Sequence, residues 1–287
     1  MLPVAKRTLP VLDAFALATW RYTVGTVLFL LLLAAFEGPR ALRYGGRLLP
    51  ATVFGVIGFV GFNLLVWLGL GYSRPEHAAV ILALQTPFTA LAVWVMRGQR
   101  PRSFTLGCVA AAIAGVLVVV TKGDPAQAIA ELGRGGALFG DMLVFLGALA
   151  WVVYTLAAGH FAGWSALRLT ALTSVPGAIG IALANYLAIL AGMAAVPSVE
   201  ALWSVGWQLA YFVLGSTVLG VLGFNAAVTH LGPLNAMLML NLVPVGVFAI
   251  EAALGRSFAA IELAGAATVV LALVANNLYL RGASTSR

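Results

Sequence analysis

EHAAVILALQTPFTALAVWVMRG, residues 76–98, is apolar for long enough to cross a bilayer as a helix, which takes about 20 residues. Pro87 interrupts its middle, and Gln85 stands two residues ahead of the proline. A proline inside a helix leaves the carbonyl a turn earlier without its donor. In lipid, such a group must be taken up by neighbouring helices or a wet cavity. The second half repeats the arrangement in PLNAMLMLNLVPVGVFAIEAALG, residues 233–255, with Pro244 at the break and Asn241 ahead of it. Interrupted helices at matching places in two halves mark a carrier built by duplication, with its substrate path between them.

Working outward, candidate spans lie at about 13–36, 49–72, 76–97, 103–121, 136–160, 165–191, 205–230, 233–254 and 258–280. Long apolar runs without alternation predict helices rather than barrel strands, because lipid leaves no backbone group unpaired. Composition agrees: 62% of the residues are hydrophobic and only 9% charged, against about 25% charged in a typical soluble domain. The mean hydropathy is +1.03. This is an integral membrane protein.

The net charge of +7 is read as basic loops facing the cytoplasm, not as a nucleic-acid surface. One set of loops and the tail hold Arg40, Arg43, Arg47, Arg97, Arg100, Arg102, Arg168, Arg281 and Arg287. The opposite set carries most of the loop acids, including Asp13, Glu76, Asp124, Glu131 and Glu200. That asymmetry predicts a cytoplasmic C-terminus. The opening MLPVAKRTLP lacks the order of a cleavable signal peptide, and the single Cys108 has no partner within the chain.

A repeat is visible in the letters. Gly61-Phe62-Asn63 recurs as Gly223-Phe224-Asn225, Pro87 as Pro244, Gly98 as Gly255 and Gly107 as Gly265, at an offset of about 157–162 residues. We therefore expect a first repeat over 1–121, a linker over 122–135 and a second repeat over 136–287. Counting an incomplete first helix in residues 1–9, each half holds five helices, and an odd number makes the copies enter the membrane in opposite senses.

Polar and aromatic side chains inside the spans are the candidates for substrate contact, since such groups are expensive in lipid. Asn63 and Trp67 share one helix face, as do His77 and Gln85, Trp151 and Tyr154, and Tyr211 and Asn225. With Asn241 they offer amides and rings suited to a zwitterion with an apolar or aromatic body. Pro87 and Pro244 would break helices and free carbonyls. Arg21, about eight residues into its span, and Lys6 would either meet a carboxylate or brace another helix end.

Asp141, Glu251 and Glu262 lie near span ends without an obvious ionic partner, which favours facilitated transport over a proton relay. No hydrolase, metalloprotease or nucleotide-binding motif appears, and there is no like-charged row of a channel. No enzyme activity, cofactor or metal site is expected. The competing reading from another class is a receptor or scaffold that kept a carrier fold.

The Val4-Ala5-Lys6 stub, Ala18-Thr19-Trp20-Arg21-Tyr22 and the two proline-broken helices resemble the drug/metabolite transporter superfamily. Within it the chain is similar to EamA-domain exporters, closest to the YddG-type exporters of aromatic amino acids. The resemblance implies an all-α integral membrane bundle of ten helices in two inverted five-helix repeats, the first helix being incomplete here. It implies alternating access around a mid-membrane cavity, in the inner (plasma) membrane of a bacterium. A small-molecule substrate and the lipid bilayer are the expected partners, without nucleic acid, for a monomer. Aromatic and other apolar amino acids are the expected cargo; drugs, purines or other metabolites are the alternative. Relatives often carry Gly-Glu after the broken helices, where this chain has Gly98-Gln99 and Gly255-Arg256.

Overall fold

The computed structural model describes residues 1–98, 102–124, 126, 136–232, 236, 240 and 242–285. Asn241, Pro233 and most of the expected linker lie outside them. Every described element is helical: α1 (Leu2–Thr8), α2 (Ala14–Glu37), α3 (Leu48–Tyr72), α4 (Pro75–Met96) and α5 (Ser103–Thr121) in the first half. The second half holds α6 (Ala137–Phe161), α7 (Ala166–Leu190), α8 (Gly206–Leu231), α9 (Leu242–Ala253) and α10 (Ala260–Thr285). Among the described residues, seven helices, α2 to α8, are long and apolar enough to cross a membrane. Alongside them, α9 and the Ala260–Asn276 stretch of α10 are shorter and apolar. The protein is a multi-pass, all-α membrane bundle.

Local chemistry starts the helices. The Asp13 carboxylate accepts from the backbone N–H groups of Phe15 and Ala16, both at 2.9 Å, and opens α2. The Ser165 hydroxyl accepts from Arg168 N–H at 2.9 Å and opens α7. Glu262, three residues into α10, reaches back to the N–H of Ala259 at 2.9 Å, half of a capping box. Large apolar side chains such as Leu31, Phe36, Leu183, Leu190 and Leu271 point outward, where a soluble protein would place charge. Lipid is the solvent for that face.

The principal helix pairs join the two halves: α2 with α7, α3 with α6, and α5 with α10. The first and last of these pair helices that hold the same place in the element order of each half. Small residues set the distances, as membrane helices demand. A Cβ added to Gly115 of α5 would lie 2.7 Å from the Gly265 carbonyl oxygen, and one on Gly265 would lie 2.9 Å from that of Gly115. Gly69 of α3 and Gly140 of α6 approach one another in the same way, each 2.5 Å from the other's carbonyl by that measure.

Two departures from regular helix matter for the interior. The Val56–Gly61 stretch of α3 and the Tyr211–Val221 stretch of α8 wind as π-helix, each running up to the repeated Gly-Phe-Asn triplet. Helix α4 breaks at Leu84, whose N–H turns to Ile81 at 3.0 Å. The break falls three residues before Pro87, because the proline ring collides with the carbonyl four residues earlier. In the second half, Val243 N–H turns to Leu240 at 3.0 Å, just ahead of Pro244. A turn of the same kind thus precedes each proline.

Candidate functional site

The two turns bring Leu82 and Gln85 of α4, Leu240 just before α9, and Val243 and Val247 of α9 onto the wall of one cavity of about 410 Å³. Small-molecule pockets occupy roughly 300–1,000 Å³. The rest of the wall comes from Met1 and Leu2 of α1, Arg21 and Tyr22 of α2, Phe62 of α3, Trp151 of α6, and residues of α8 from Tyr211 to Phe224. Gly215 and Gly220 on α8 keep that wall shallow, and Ser216 supplies a hydroxyl.

The cavity is an aromatic box with one charge. Trp151 is its centre: its ring lies 4.9 Å from Phe62, 5.4 Å from Phe224 and 5.1 Å from Tyr154, centroid to centroid. These are ordinary aromatic contact distances, and they lock the indole in place.

Arg21, only 2% exposed, supplies the charge. Its Nε donates to the Thr217 hydroxyl at 2.5 Å and its Nη1 to the Asn63 amide oxygen at 3.1 Å. The guanidinium lies 4.8 Å from the Tyr22 ring centroid and 5.6 Å from that of Trp67. Neutral groups and rings hold it; among the described residues no carboxylate pairs with it. A desolvated cation without a counter-ion is costly, and inside a membrane it marks a functional position. Beside it, the buried Tyr22 hydroxyl has no hydrogen-bond partner.

The sequence candidates divide into three groups. Gln85, Trp151, Tyr211 and Arg21 line the cavity. Asn63, Trp67, Tyr154 and Asn225 are buried behind it. The Asn63 amide N–H donates to the Phe59 carbonyl at 2.8 Å while its oxygen holds Arg21. The Asn225 amide N–H groups donate to Tyr154 Oη at 2.9 Å and Thr170 Oγ1 at 2.8 Å, so α8 is tied to α6 and α7. Trp67 packs edge-on against Phe212, with ring centroids 5.9 Å apart. These four brace the wall. The third group, His77 and Lys6, sits away from the cavity.

At the end of the bundle carrying the α3–α4 turn, Lys6 donates to the carbonyls of Leu70, Gly71 and Ser73 at 2.6, 2.9 and 2.7 Å. Lys6 therefore braces the end of α3. In the same region His77 Nδ1 meets Asp141 Oδ2 at 3.1 Å, and the Ser73 hydroxyl donates to Asp141 Oδ1. The Arg256 guanidinium lies against Glu76 and 3.9 Å from Glu262, and Arg74 lies 3.8 Å from Glu262. This corrects the expectation that Asp141 and Glu262 lack ionic partners. The Asp141 partner is 64 positions away in the chain, and those of Glu262 are 188 (Arg74) and 6 (Arg256) positions away.

Tyr22, Phe62 and Phe224 are the aromatic cavity residues that the sequence reading did not put forward as candidates. For the two phenylalanines a signal was present, because the repeated triplet singles out the phenylalanine as much as the asparagine. Consecutive helix residues point about 100° apart, so Phe62 and Asn63 face different ways. The ring took the cavity and the amide took the packing side.

Comparison with known proteins fits this architecture. A model of the EamA-like transporter family matches residues 1–121. The chain is 28% identical to the uncharacterized transporter YrdR of Bacillus subtilis (strain 168), over 98% of this chain and 88% of that protein. It is likewise 28% identical to the uncharacterized transporter YyaM of the same organism, over 97% of this chain and 89% of that protein. A solved protein structure superposes with a TM-score of 0.68 at 19% identity, covering 98% of this chain and 93% of the other, which is a likeness of fold.

Proposed function

We propose that the chain is a carrier that exports small amphipathic carboxylates, aromatic and other apolar amino acids foremost, by alternating access between its two halves. The observation that carries this reading is Arg21, a buried guanidinium without an acidic partner among the described residues, on the wall of a box of rings. A substrate carboxylate would supply the missing counter-charge, with the Tyr22 hydroxyl as a second contact. The rings of Phe62, Trp151, Tyr211 and Phe224 would take the apolar body. Gln85 and the backbone freed by the break at Leu84 would serve an ammonium group.

Several features support transport as the class of activity. The transporter-named relatives match the chain nearly end to end, and the family model ends at residue 121, where the first repeat was expected to end. Residues at the turns ahead of Pro87 and Pro244, Gln85 with Leu240 and Val243, meet at the cavity, as interrupted helices do around carrier binding sites. Arg43, Arg47 and Arg168 gather at one end: Arg168 donates to the Arg43 carbonyl at 2.6 Å and Arg47 to the Ala162 carbonyl at 2.8 Å. That end would face the cytoplasm of a bacterial inner membrane, with the C-terminus on the same side.

The test is uptake of labelled tryptophan into vesicles holding the pure protein, with and without a pH gradient. We expect saturable uptake that phenylalanine competes and tryptamine, which lacks the carboxylate, does not. Equal competition by tryptamine would remove Arg21 from substrate recognition. Absence of any tryptophan or phenylalanine flux would overturn the amino-acid reading.

A further inference from the structure

The end of the bundle holding the α3–α4 turn carries a second site, separate from the cavity and independent of what the cavity transports. We propose that Glu76, His77 and Glu262 bind one divalent transition-metal ion of the zinc class, in exchange for the Arg256 guanidinium.

Three observations carry this. First, the three side chains are 0%, 1% and 4% exposed, and each places one donor atom within 4.8 Å of the others. Second, both carboxylate oxygens of Glu76, Oε1 of Glu262 and Nε2 of His77 are buried without any hydrogen-bond partner. Glu76 Oε1 lies against the Arg256 guanidinium and Glu262 Oε1 lies 3.8 and 3.9 Å from Arg74 and Arg256, while Glu76 Oε2 and His77 Nε2 have no partner among the described residues. An orphaned polar atom costs roughly 1–3 kcal/mol, so two at one place demand an explanation. Third, Asp141 Oδ2 lies 3.1 Å from His77 Nδ1, and the Ser73 hydroxyl holds the other oxygen of Asp141. With Nδ1–H donating to Asp141, Nε2 is left with its lone pair. A carboxylate behind a histidine is the arrangement that orients and strengthens metal-ligating imidazoles.

The unpaired atoms are all acceptors, so the missing partner is a cation. Arg256 answers that demand incompletely, since it lies against Oε1 of Glu76 and leaves Oε2 without a partner. Its side chain is 24% exposed, which leaves it a way out when an ion enters. The ligand set selects the ion. One imidazole nitrogen and two carboxylates suit zinc or its cobalt substitute, whereas magnesium prefers an all-oxygen octahedral shell. Bonds of about 2.1 Å at tetrahedral angles put ligands about 3.4 Å apart, so donor atoms lying within 4.8 Å of one another need close by no more than about 1.4 Å. Helix N-terminal acids are common for another reason, since they satisfy free N–H groups. Here Glu262 meets that need through Oε2, bonded to Ala259, which leaves Oε1 for the ion. Glu76 and His77 come from α4 and Glu262 from α10, so a bound ion ties the two halves together at this end.

The experiment uses the full chain in detergent, stripped with a chelator. Zinc is titrated by calorimetry and cobalt by visible absorption, with magnesium as the control. We expect one zinc per chain, cobalt bands of a four-coordinate ion, no heat with magnesium, and a zinc-dependent rise in unfolding temperature. His77→Gln should weaken zinc at least tenfold, and Asp141→Asn by about 10–100-fold through loss of the supporting carboxylate. Arg256→Gln should tighten zinc several-fold by removing the competitor. Zinc binding that survives both His77→Gln and Glu262→Gln would place the ion elsewhere and overturn the assignment, as would absence of cobalt bands in the native protein. Should the histidine variant fail to fold, Arg256→Gln decides: unchanged or weaker zinc affinity sinks the proposal.

Discussion

Phe62 and Phe224, the central residues of the repeated triplet, both pack against one side chain, with ring centroids 4.9 and 5.4 Å from that of Trp151. Each half of the chain thus contributes one ring to a shared indole, and the two phenylalanines converge on a single point in the cavity. Trp151→Ala removes the point of convergence and Gln85→Ala removes the amide beside it. Each should lower tryptophan uptake by about tenfold, roughly 1.4 kcal/mol of binding, while the variants still elute as folded protein. Native uptake in the double variant would exclude both residues from the site.

Asn63 governs how available Arg21 is. Replacing the amide by a carboxylate, Asn63→Asp, puts an acid about one hydrogen bond from the guanidinium. The cation would then be neutralised from within. We expect uptake of carboxylate substrates to fall at least tenfold, with the unfolding temperature unchanged or raised. Arg21→Lys should also lose uptake, because a point charge cannot reproduce the fork held by Thr217 and Asn63. Full activity in Asn63→Asp would show that the charge of Arg21 is not used.

The α5–α10 contact sets a stability prediction. Gly115→Ala places a methyl 2.7 Å from a backbone carbonyl that has nowhere to go. We expect a loss of about 1–3 kcal/mol, the usual cost of overpacking, read as a lower unfolding temperature in detergent. Gly107→Ala, on the same helix with open space around it, should be neutral or stabilising by about 0.5–1 kcal/mol. Equal responses from the two would contradict the packing described.

Lys6 sets another. Its ammonium caps three carbonyls at the end of α3, and hydrogen bonds to charged groups contribute about 1.5–3 kcal/mol each. Lys6→Met should destabilise by at least about 2 kcal/mol and make the Ser73–Arg74 turn sensitive to protease. Lys6→Arg should recover part of the loss. Protease resistance equal to the native protein in Lys6→Met would sink this role.

The sequence made the helices, their membrane setting and the two breaks legible because each leaves a local mark: a long apolar run, or a proline inside one. Cavity membership was harder to read. Gln85, Trp151 and Tyr211 could be picked from residue type and depth, yet Asn63 and Asn225 look as suitable and are bound behind the wall. Which face of a helix meets the cavity depends on its rotation, and the π-helical stretches of α3 and α8 upset the count of residues per turn just before those asparagines. The ionic cluster left no mark at all. His77 with Asp141, and Arg74 with Glu262, become neighbours only after α4, α6 and α10 have packed.

The glycine contacts have a mechanical consequence. Interlocked side chains behave as gear teeth, and helices so joined move past each other only by lifting one tooth over the next. Where Gly115 meets Gly265, and Gly69 meets Gly140, backbone lies close to backbone and valine teeth, Val119 and Val269 in one contact and Val144 in the other, sit against the glycines. Each glycine is thus a notch that seats a tooth, so α5 against α10 and α3 against α6 hold their register between the halves and shift only by whole steps.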